Sequence, residues 1–314
     1  MRFIETFREG NHISDVYLCK TKQIALTKNG KEYGSLVLQD KTGTVDAKIW
    51  ELNSPGINEF CALDYVYVDA DVTLFQGQNQ LNVKRIRKAD EGEYHPADYL
   101  PVTTKDIPTM QHELTQYITT IKNEYLRKLA SGYFNDPEFM KAFSFHSAAK
   151  SVHHGFVGGL LEHTLSVVKM CDYFSKQYPV LNRDLLLTAA MFHDIGKTKE
   201  LSAFPENDYT DDGQLLGHII IGSQMVKERI DTMTGFPKKL ESELIHCILA
   251  HHGELEYGSP KKPALLEAMA LNLADNADAK METMIEVLRG AGNNQGWLGY
   301  NRLLETNIRK TTEI

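Results

Sequence analysis

Apolar and polar residues alternate in short, regular runs along the first ninety positions of the chain. The clearest run is 64–75 (DYVYVDADVTLF), where small and branched apolar residues fall on one face of an extended chain and mostly polar ones on the other. Further runs rich in β-branched and aromatic residues occupy 15–26, 32–40, 44–52 and 81–88. Turn-type sequences such as TKNGK, DKTG and GQNQ separate neighbouring runs. The pattern predicts five β-strands.

The order of these elements predicts a small barrel. Residues 54–63 (SPGINEFCAL), between the third and fourth runs, are long enough for a short helix, which we expect there. Three strands, a helix and two more strands is the order of an OB-type barrel, a fold that binds single-stranded nucleic acids, proteins or sugars. Lys84, Arg85 and Arg87 form a positive cluster (KRIRK) and are the candidate contacts to a nucleic-acid backbone.

Helical periodicity begins further along the chain. Residues 93–112 contain three prolines and no sustained apolar period, which is typical of a linker. Apolar residues then recur every three or four positions to about residue 290. Asp136 and Pro137 have the order of a helix cap and a first helical residue. We therefore expect an α+β protein with a five-stranded OB-type barrel in 1–92, a linker in 93–112 and an all-α domain in 113–314.

The composition is that of a soluble globular protein, with 42% hydrophobic and 24% charged residues among 314. The net charge of −8 means that any contact with nucleic acid must come from local basic groups. The sequence contains neither an apolar leader nor an apolar run of membrane-spanning length. Its four cysteines are widely separated, which is typical of reduced thiols. We expect a cytoplasmic protein without a membrane partner.

Nine of the twelve histidines fall between positions 146 and 252. Imidazole nitrogens bind transition metals, and carboxylates beside them suit manganese, iron or zinc. Asp194 follows a histidine at the predicted end of an apolar helix, and its two oxygens could join two cations about 3.5–4 Å apart, the separation found in two-metal hydrolases. Seven residues could provide the ligands of two cations: His163, His193, Asp194, His218, His251, His252 and Asp275.

Five short motifs in this series resemble those of a known enzyme family. LLEHT, FHDIGK, GH, AHHG and LADNADA resemble the ordered motifs of the HD-domain metal-dependent phosphohydrolases, and the additional histidines resemble the branch that binds two metals. With the predicted barrel, HHGFVGGLLEHTLSV and HHGELEYGSP resemble the YhaM family of bacterial 3′–5′ exoribonucleases over nearly the whole chain. The resemblance implies single-stranded RNA as partner and substrate, with single-stranded DNA left open, and release of nucleoside 5′-monophosphates from the 3′ end.

The resemblance also implies roles for individual residues. Two divalent cations are expected, of the Mn²⁺ type, with Co²⁺, Fe²⁺ or Zn²⁺ as alternatives. Matching ligands of the first are His163, His193, Asp194 and Asp275, and matching ligands of the second are Asp194, His218, His251 and His252. Lys197 matches a lysine that faces the substrate phosphate.

Two histidines in a glycine-bordered loop complete the candidate site. His153 and His154 could neutralise a phosphate or donate a proton to the leaving oxygen, so His153 is a candidate substrate contact and His154 a candidate catalytic residue beside Asp194 and Lys197. Asp278, one helical turn after Asp275, is a candidate partner of a metal ligand.

Two other functions stay open at the level of sequence. One is hydrolysis of mononucleotides or cyclic nucleotides, with the barrel used for assembly of identical chains. The other is binding of nucleic acid by a protein whose metal site is not catalytic. A polymer substrate suits the barrel better, and seven metal-type residues argue against an inactive site. Cyclic-di-GMP phosphodiesterases of the HD-GYP group carry a glutamate after the histidine pair, where this chain has Gly253.

Overall fold

The computed structural model describes residues 1–150, 154–291, 294 and 296–312. The chain divides into two compact units, Met1–Pro101 and Val102–Ile314. The first unit is a β-barrel, and the second is mainly helical. Within the described ranges, no helix combines the length and the apolar character needed to cross a membrane.

Five strands form the closed barrel in the order β1-β2-β3-β5-β4. Their bounds are β1 (His12–Leu26), β2 (Glu32–Asp40), β3 (Gly43–Ile49), β4 (Tyr65–Phe75) and β5 (Gln78–Lys88). Adjacent strands are antiparallel except β3 and β5, which are parallel. The alternation in β4 explains its burial, because Val66, Val68, Ala70 and Val72 point into the core and are at most 1% exposed. The predicted OB-type barrel is confirmed.

The predicted short helix between β3 and β4 is wrong. Residues 54–63 form turns and extended chain, with a single bridge between Ile57 and Ile86 of β5. Pro55 and Gly56 make a turn in which Gly56 has a φ of +97°, and Leu63 also has a positive φ. These left-handed residues are incompatible with a continuous helix, while Ile57 and the buried Phe60 pack against the barrel core.

The described part of the second unit contains nine helices: α1 (Ile107–Thr119), α2 (Glu124–Phe134), α3 (Pro137–Phe145), α4 (Gly159–Gln177), α5 (Arg183–Phe192), α6 (Lys197–Glu200), α7 (Asp211–Asp231), α8 (Lys238–Ala250) and α9 (Leu266–Gly290). Asp106 caps α1 by accepting a hydrogen bond from the backbone N–H of Thr109 (2.9 Å). The helix therefore begins inside the segment that the sequence assigns to a linker. Tyr94 and Tyr99 of that segment pack instead on Tyr65 of the barrel.

Helix α5 lies at the centre of the helical unit. All eight residues of 185–192 are buried, so this helix has no solvent face after its first turn. Helices α2, α4, α8 and α9 pack around it, and its C-terminal end delivers the next residue, His193, into the interior. A hairpin of β6 (Trp297–Asn301) and β7 (Thr306–Arg309) follows the helices; the apolar pattern does not predict these strands.

Candidate metal centre

A first cluster of potential ligands forms where α4, α5 and α9 meet. The Nε2 atom of His163, in the second turn of α4, lies 3.1 Å from Nε2 of His193. The same His163 nitrogen lies 3.2 Å from Oδ1 of Asp275, on α9, and 3.4 Å from Oδ2 of Asp194. His163, His193 and Asp275 present atoms close enough together to hold one cation. Two imidazoles and two carboxylates suit a first-row transition metal.

A second cluster faces the other oxygen of Asp194. Its Oδ1 lies 3.4 Å from Nε2 of His218 and 3.6 Å from Nε2 of His251. His218, His251 and His252 also have the geometry of a cation site. Asp194 therefore directs Oδ2 to the first cluster and Oδ1 to the second, which is the arrangement needed for a carboxylate that bridges two cations.

Hydrogen bonds fix the orientation of all five histidine rings. The Nδ1–H groups of His193, His251 and His252 donate to the backbone carbonyls of Ala190 (2.8 Å), Ile248 (2.7 Å) and Tyr257 (2.8 Å). The Nδ1–H of His163 donates to the carboxylate of Asp278 (2.7 Å), and the Nδ1–H of His218 donates to the carboxylate of Glu200 (2.9 Å). A carbonyl or carboxylate can only accept, so each ring carries a proton on Nδ1 and directs Nε2 toward the position of a metal.

Three buried atoms at the second cluster have no hydrogen-bond partner among the residues that the structure describes: Oδ1 of Asp194, Nε2 of His218 and Nε2 of His251. Buried polar atoms nearly always have a partner, and these three are acceptors that face one another. No protein donor can satisfy them all, whereas one cation can. The donor set of this chain therefore fits a second metal.

Burial disfavours the charged form of each group at the centre, and the neighbours decide where its pKa lies. Burial raises the pKa of Asp194, but Lys197 and the surrounding imidazoles outweigh it and hold that pKa well below its usual range. The neighbouring histidines likewise outweigh burial and lower the pKa of Asp275. Burial lowers the pKa values of His193 and His252 to about 4. At His163 the carboxylates of Asp194, Asp275 and Asp278 outweigh burial and raise the pKa well above its usual range. The centre thus offers ionised carboxylates and, at His193 and His252, neutral imidazoles, while a cation at the first cluster would replace a proton on His163.

Two glycines allow the chain to bring these elements together. A Cβ on Gly196, two residues after Asp194, would lie 2.0 Å from the backbone carbonyl of His218, so only glycine permits this close approach. Non-helical backbone at Gly217 (φ 72°, ψ 156°) interrupts α7 immediately before His218. The kink also turns the backbone N–H of His218 toward Glu200, which accepts it at 2.9 Å.

Lys197 supplies a positive charge at the edge of the centre. Its Nζ lies 2.7 Å from Oδ2 of Asp194. Burial lowers the pKa of this ammonium, but Asp194 outweighs burial and raises the pKa, so the side chain stays charged. Lys197 lines a cavity of about 410 Å³ together with members of both clusters. The aromatic side chain of Tyr257 and the polar side chains of Asn272, Asn276 and Lys280 also line this cavity.

The two loop histidines are placed differently from the metal-type residues. His154 is 2% exposed, and its Nε2 lies 3.0 Å from Oδ2 of Asp278, so it stands behind His163 and outside the lining of the cavity. His153 lies outside the described residues. Asp278, which helical spacing had indicated, does contact a histidine of the first cluster. The spacing did not single out Glu200, the partner of His218.

The basic cluster of the barrel is largely paired with acidic residues. Lys84 forms an ion pair with Asp71 (2.5 Å), and Arg87 forms a bidentate pair with Glu93 (2.7 Å for both bonds). Arg85 is exposed and has no ion pair with any residue that the structure describes. A role of these three side chains in binding nucleic acid stays a prediction.

An aromatic pair offers a different surface on the barrel. Trp50, directly after β3, is 43% exposed, and its ring centroid lies 5.1 Å from that of Tyr33 in β2, with the ring planes inclined by 30°. Exposed aromatic rings provide stacking surfaces for the bases of single strands. Tyr17 is fully buried and belongs to the barrel core.

Known proteins match both parts of the chain. Residues 160–280 match the family model described as HD domain. The chain is 36% identical over 283 residues to the 3′-5′ exoribonuclease YhaM of Bacillus velezensis, with 89% of this chain and 88% of that protein covered. The solved second OB-fold domain of replication protein A from Methanococcus maripaludis covers 29% of this chain and 96% of its own, at 21% identity and a TM-score of 0.22. An alignment of 283 residues includes residues of both units.

Proposed function

This chain belongs to the family of the 3′-5′ exoribonuclease YhaM, and on that basis we propose that it is a metal-dependent exonuclease that removes nucleoside 5′-monophosphates from the 3′ end of single-stranded RNA. The observation that carries this proposal is the pair of clusters joined by Asp194, whose two oxygens face different sets of imidazoles. The four free cysteines, three of them buried, are consistent with a cytoplasmic enzyme.

Two divalent cations are part of the proposal. The first would be held by His163, His193, Asp194 and Asp275, and the second by Asp194, His218, His251 and His252. The carboxylates suit Mn²⁺, which we propose, and the imidazoles also suit Fe²⁺ and Zn²⁺, so Co²⁺, Fe²⁺ and Zn²⁺ are alternatives. Such a pair, when bound, lowers the pKa of water and offsets charge on phosphoryl oxygens.

The side chains of the protein do the remaining work. The partly buried ammonium of Lys197, at the edge of the cavity, is placed to offset charge that develops on the non-bridging oxygens of the scissile phosphate. Lys280 lines the same cavity as Asp275, is exposed, and lies about 7.5 Å further along the axis of α9 than Asp275, five residues at 1.5 Å each. We assign it to the neighbouring phosphate of the strand. Tyr257, on the rim, presents a ring to the terminal base.

The direction in which RNA is degraded gives the direct test of this function. With Mn²⁺, a single-stranded RNA labelled at its 5′ end should yield a ladder that shortens from the other end, and a 3′-labelled RNA should release labelled mononucleotide at once. EDTA should abolish both. A comparison with the DNA oligonucleotide of the same sequence measures the preference for ribose over deoxyribose. Internal cuts, or hydrolysis of mononucleotides and cyclic nucleotides alone, would contradict the proposal.

The barrel is assigned to binding the strand upstream of the cleaved bond. Trp50→Ala removes a stacking ring that contributes about 1–3 kcal/mol per base, so KM for RNA should rise about 5- to 150-fold. The kcat of the enzyme, and its cleavage of the small diester bis-p-nitrophenyl phosphate, should stay unchanged. Tyr173→Ala, which removes an exposed ring on α4, is the matched control and should leave KM unaltered. An unchanged KM for Trp50→Ala would leave the barrel without this stacking role.

A further inference from the structure

His154 occupies a constrained position directly behind the first ligand cluster. Its φ of +61° is uncommon for a residue other than glycine, and its side chain is 2% exposed. Its carbonyl accepts from the backbone N–H of Ala148 (3.0 Å). The same carbonyl would lie 2.0 Å from a Cβ on Gly159. Left-handed backbone at a residue other than glycine is strained and persists where the surrounding structure holds it in place.

The His154 ring connects to the first cluster through one carboxylate oxygen. Nε2 of His154 lies 3.0 Å from Oδ2 of Asp278, and Nδ1 of His163 lies 2.7 Å from the same oxygen. The opposite nitrogen of His163 is the one that faces His193 and Asp275. A continuous chain of hydrogen bonds therefore runs from His154 through Asp278 to the metal-facing imidazole.

The geometry argues against two other roles for His154. A proton donor to the leaving oxygen must reach the substrate, but the ring is not among the described side chains that line the cavity, and its buried Nδ1 has no partner among the described residues. His154, His163 and Asp278 also lie close enough to form a third cation site. The contacts of 2.7 Å and 3.0 Å are hydrogen-bond distances, however, and they already use the atoms that such a cation would need.

We propose that His154 is a positioning residue for the first metal, which holds Asp278 so that Asp278 fixes the orientation of His163. The inference rests on the proposed function in so far as the first cluster binds a cation. Loss of a partner behind a metal ligand typically costs about 10- to 100-fold in metal affinity. The effect should be confined to one cation, because His218 in the second cluster is held separately by Glu200.

Calorimetric titration of the metal-free, full-length protein with Mn²⁺ tests the proposal. His154→Gly removes the ring while tolerating the positive φ, and should weaken one of two binding events about 10- to 100-fold. His154→Gln keeps an N–H donor at a similar reach and should restore most of that affinity. Asp278→Ala should weaken the same event, and His154→Gly should add little to it in the double variant. His112→Ala, in α1, is the control.

Activity separates positioning from chemistry. For His154→Gly, kcat on RNA should fall at limiting Mn²⁺ and recover when Mn²⁺ is raised, with KM for RNA unchanged. A kcat that stays low at saturating Mn²⁺, with normal Mn²⁺ affinity, would show that His154 acts directly in the reaction. Loss of a third bound cation would make it a ligand. Equal Mn²⁺ binding in His154→Gly and parent, with only a lower Tm, would reduce it to a structural role.

The titration also distinguishes failure of this inference from failure of the proposed function. A parent protein that binds two Mn²⁺ ions and leaves RNA intact contradicts the exonuclease, while the His154 variants still measure the coupling to the first site. A parent protein that binds no divalent cation contradicts both.

Discussion

Asp194→Asn is expected to lower kcat on RNA about a thousandfold, equivalent to ~4 kcal/mol of transition-state stabilisation. Asp194 directs one oxygen to each cluster, at 3.4 Å from His163 and 3.4 Å from His218. Asparagine has one carbonyl oxygen and no charge, so it cannot bridge two cations. Elemental analysis should show a fall from two bound metals per chain to one or none.

The controls for this variant must separate metal loss from unfolding. The substitution also removes the carboxylate that pairs with the partly buried Lys197 at 2.7 Å, so a moderate fall in Tm is expected. Circular dichroism should nevertheless show native helix content. Asp231→Asn, which removes an exposed carboxylate that pairs with Lys227, should keep both activity and metal content. Near-normal turnover with a normal metal content in Asp194→Asn would rule out the bridging role.

The sequence predicts the barrel and most of the helices because local pattern determines them. The alternation in 64–75 fixes which face of β4 is buried, and Asp136 with Pro137 marks the start of α3 as expected. The prediction of a helix in 54–63 is wrong for a local reason, which the proline and glycine of this segment only partly indicate. Pro55 and Gly56 form a turn there, and the following apolar residues pack against the barrel in extended form.

In the candidate site too, the residues marked by a local sequence pattern are predicted, and a residue that only tertiary structure brings in is not. The residues His193 and Asp194 are visible in the sequence because an apolar helix ends on them, and the structure brings all seven metal-type residues together. Glu200 is not visible in this way, since KTKE has the pattern of an exposed turn. Its contact with His218 arises only when the kink at Gly217 brings α7 back onto α6.

The positions of charged residues in the sequence do not show which of them form ion pairs. Arg87 pairs with Glu93, six residues further along the chain, but Lys84 of the same positive run pairs with the more distant Asp71. Asp71 lies on the neighbouring strand β4, so only the pairing of β4 with β5 brings it beside Lys84. The same limit applies to His154, whose contact with Asp278 joins positions 124 residues apart. Such contacts are set by tertiary structure, and single-sequence patterns contain no direct record of them.

His218→Ala and His252→Ala are expected to lower kcat strongly, about a hundredfold or more, which corresponds to ~3 kcal/mol. Both rings are fixed through Nδ1 and direct Nε2 to the second cluster, so each substitution removes one donor from the same cation. Elemental analysis should give about one metal per chain in place of two. Raising Mn²⁺ should restore part of the activity, because the first cluster and the bridging Asp194 are intact.

His246→Ala is the matched control for the second cluster, since this histidine lies on α8 five residues before His251. Its Nε2 accepts a hydrogen bond from the backbone N–H of Ala264 (2.9 Å), away from both clusters. Its loss should lower the free energy of unfolding by about 1 kcal/mol and leave the metal content and kcat unchanged. His251 and His252 follow the C-terminal end of α8 and belong to the second cluster, whereas His246 lies within the helix and is not part of the cluster. Equal losses of kcat in all three variants at an unchanged Tm would contradict the assignment of the second cluster.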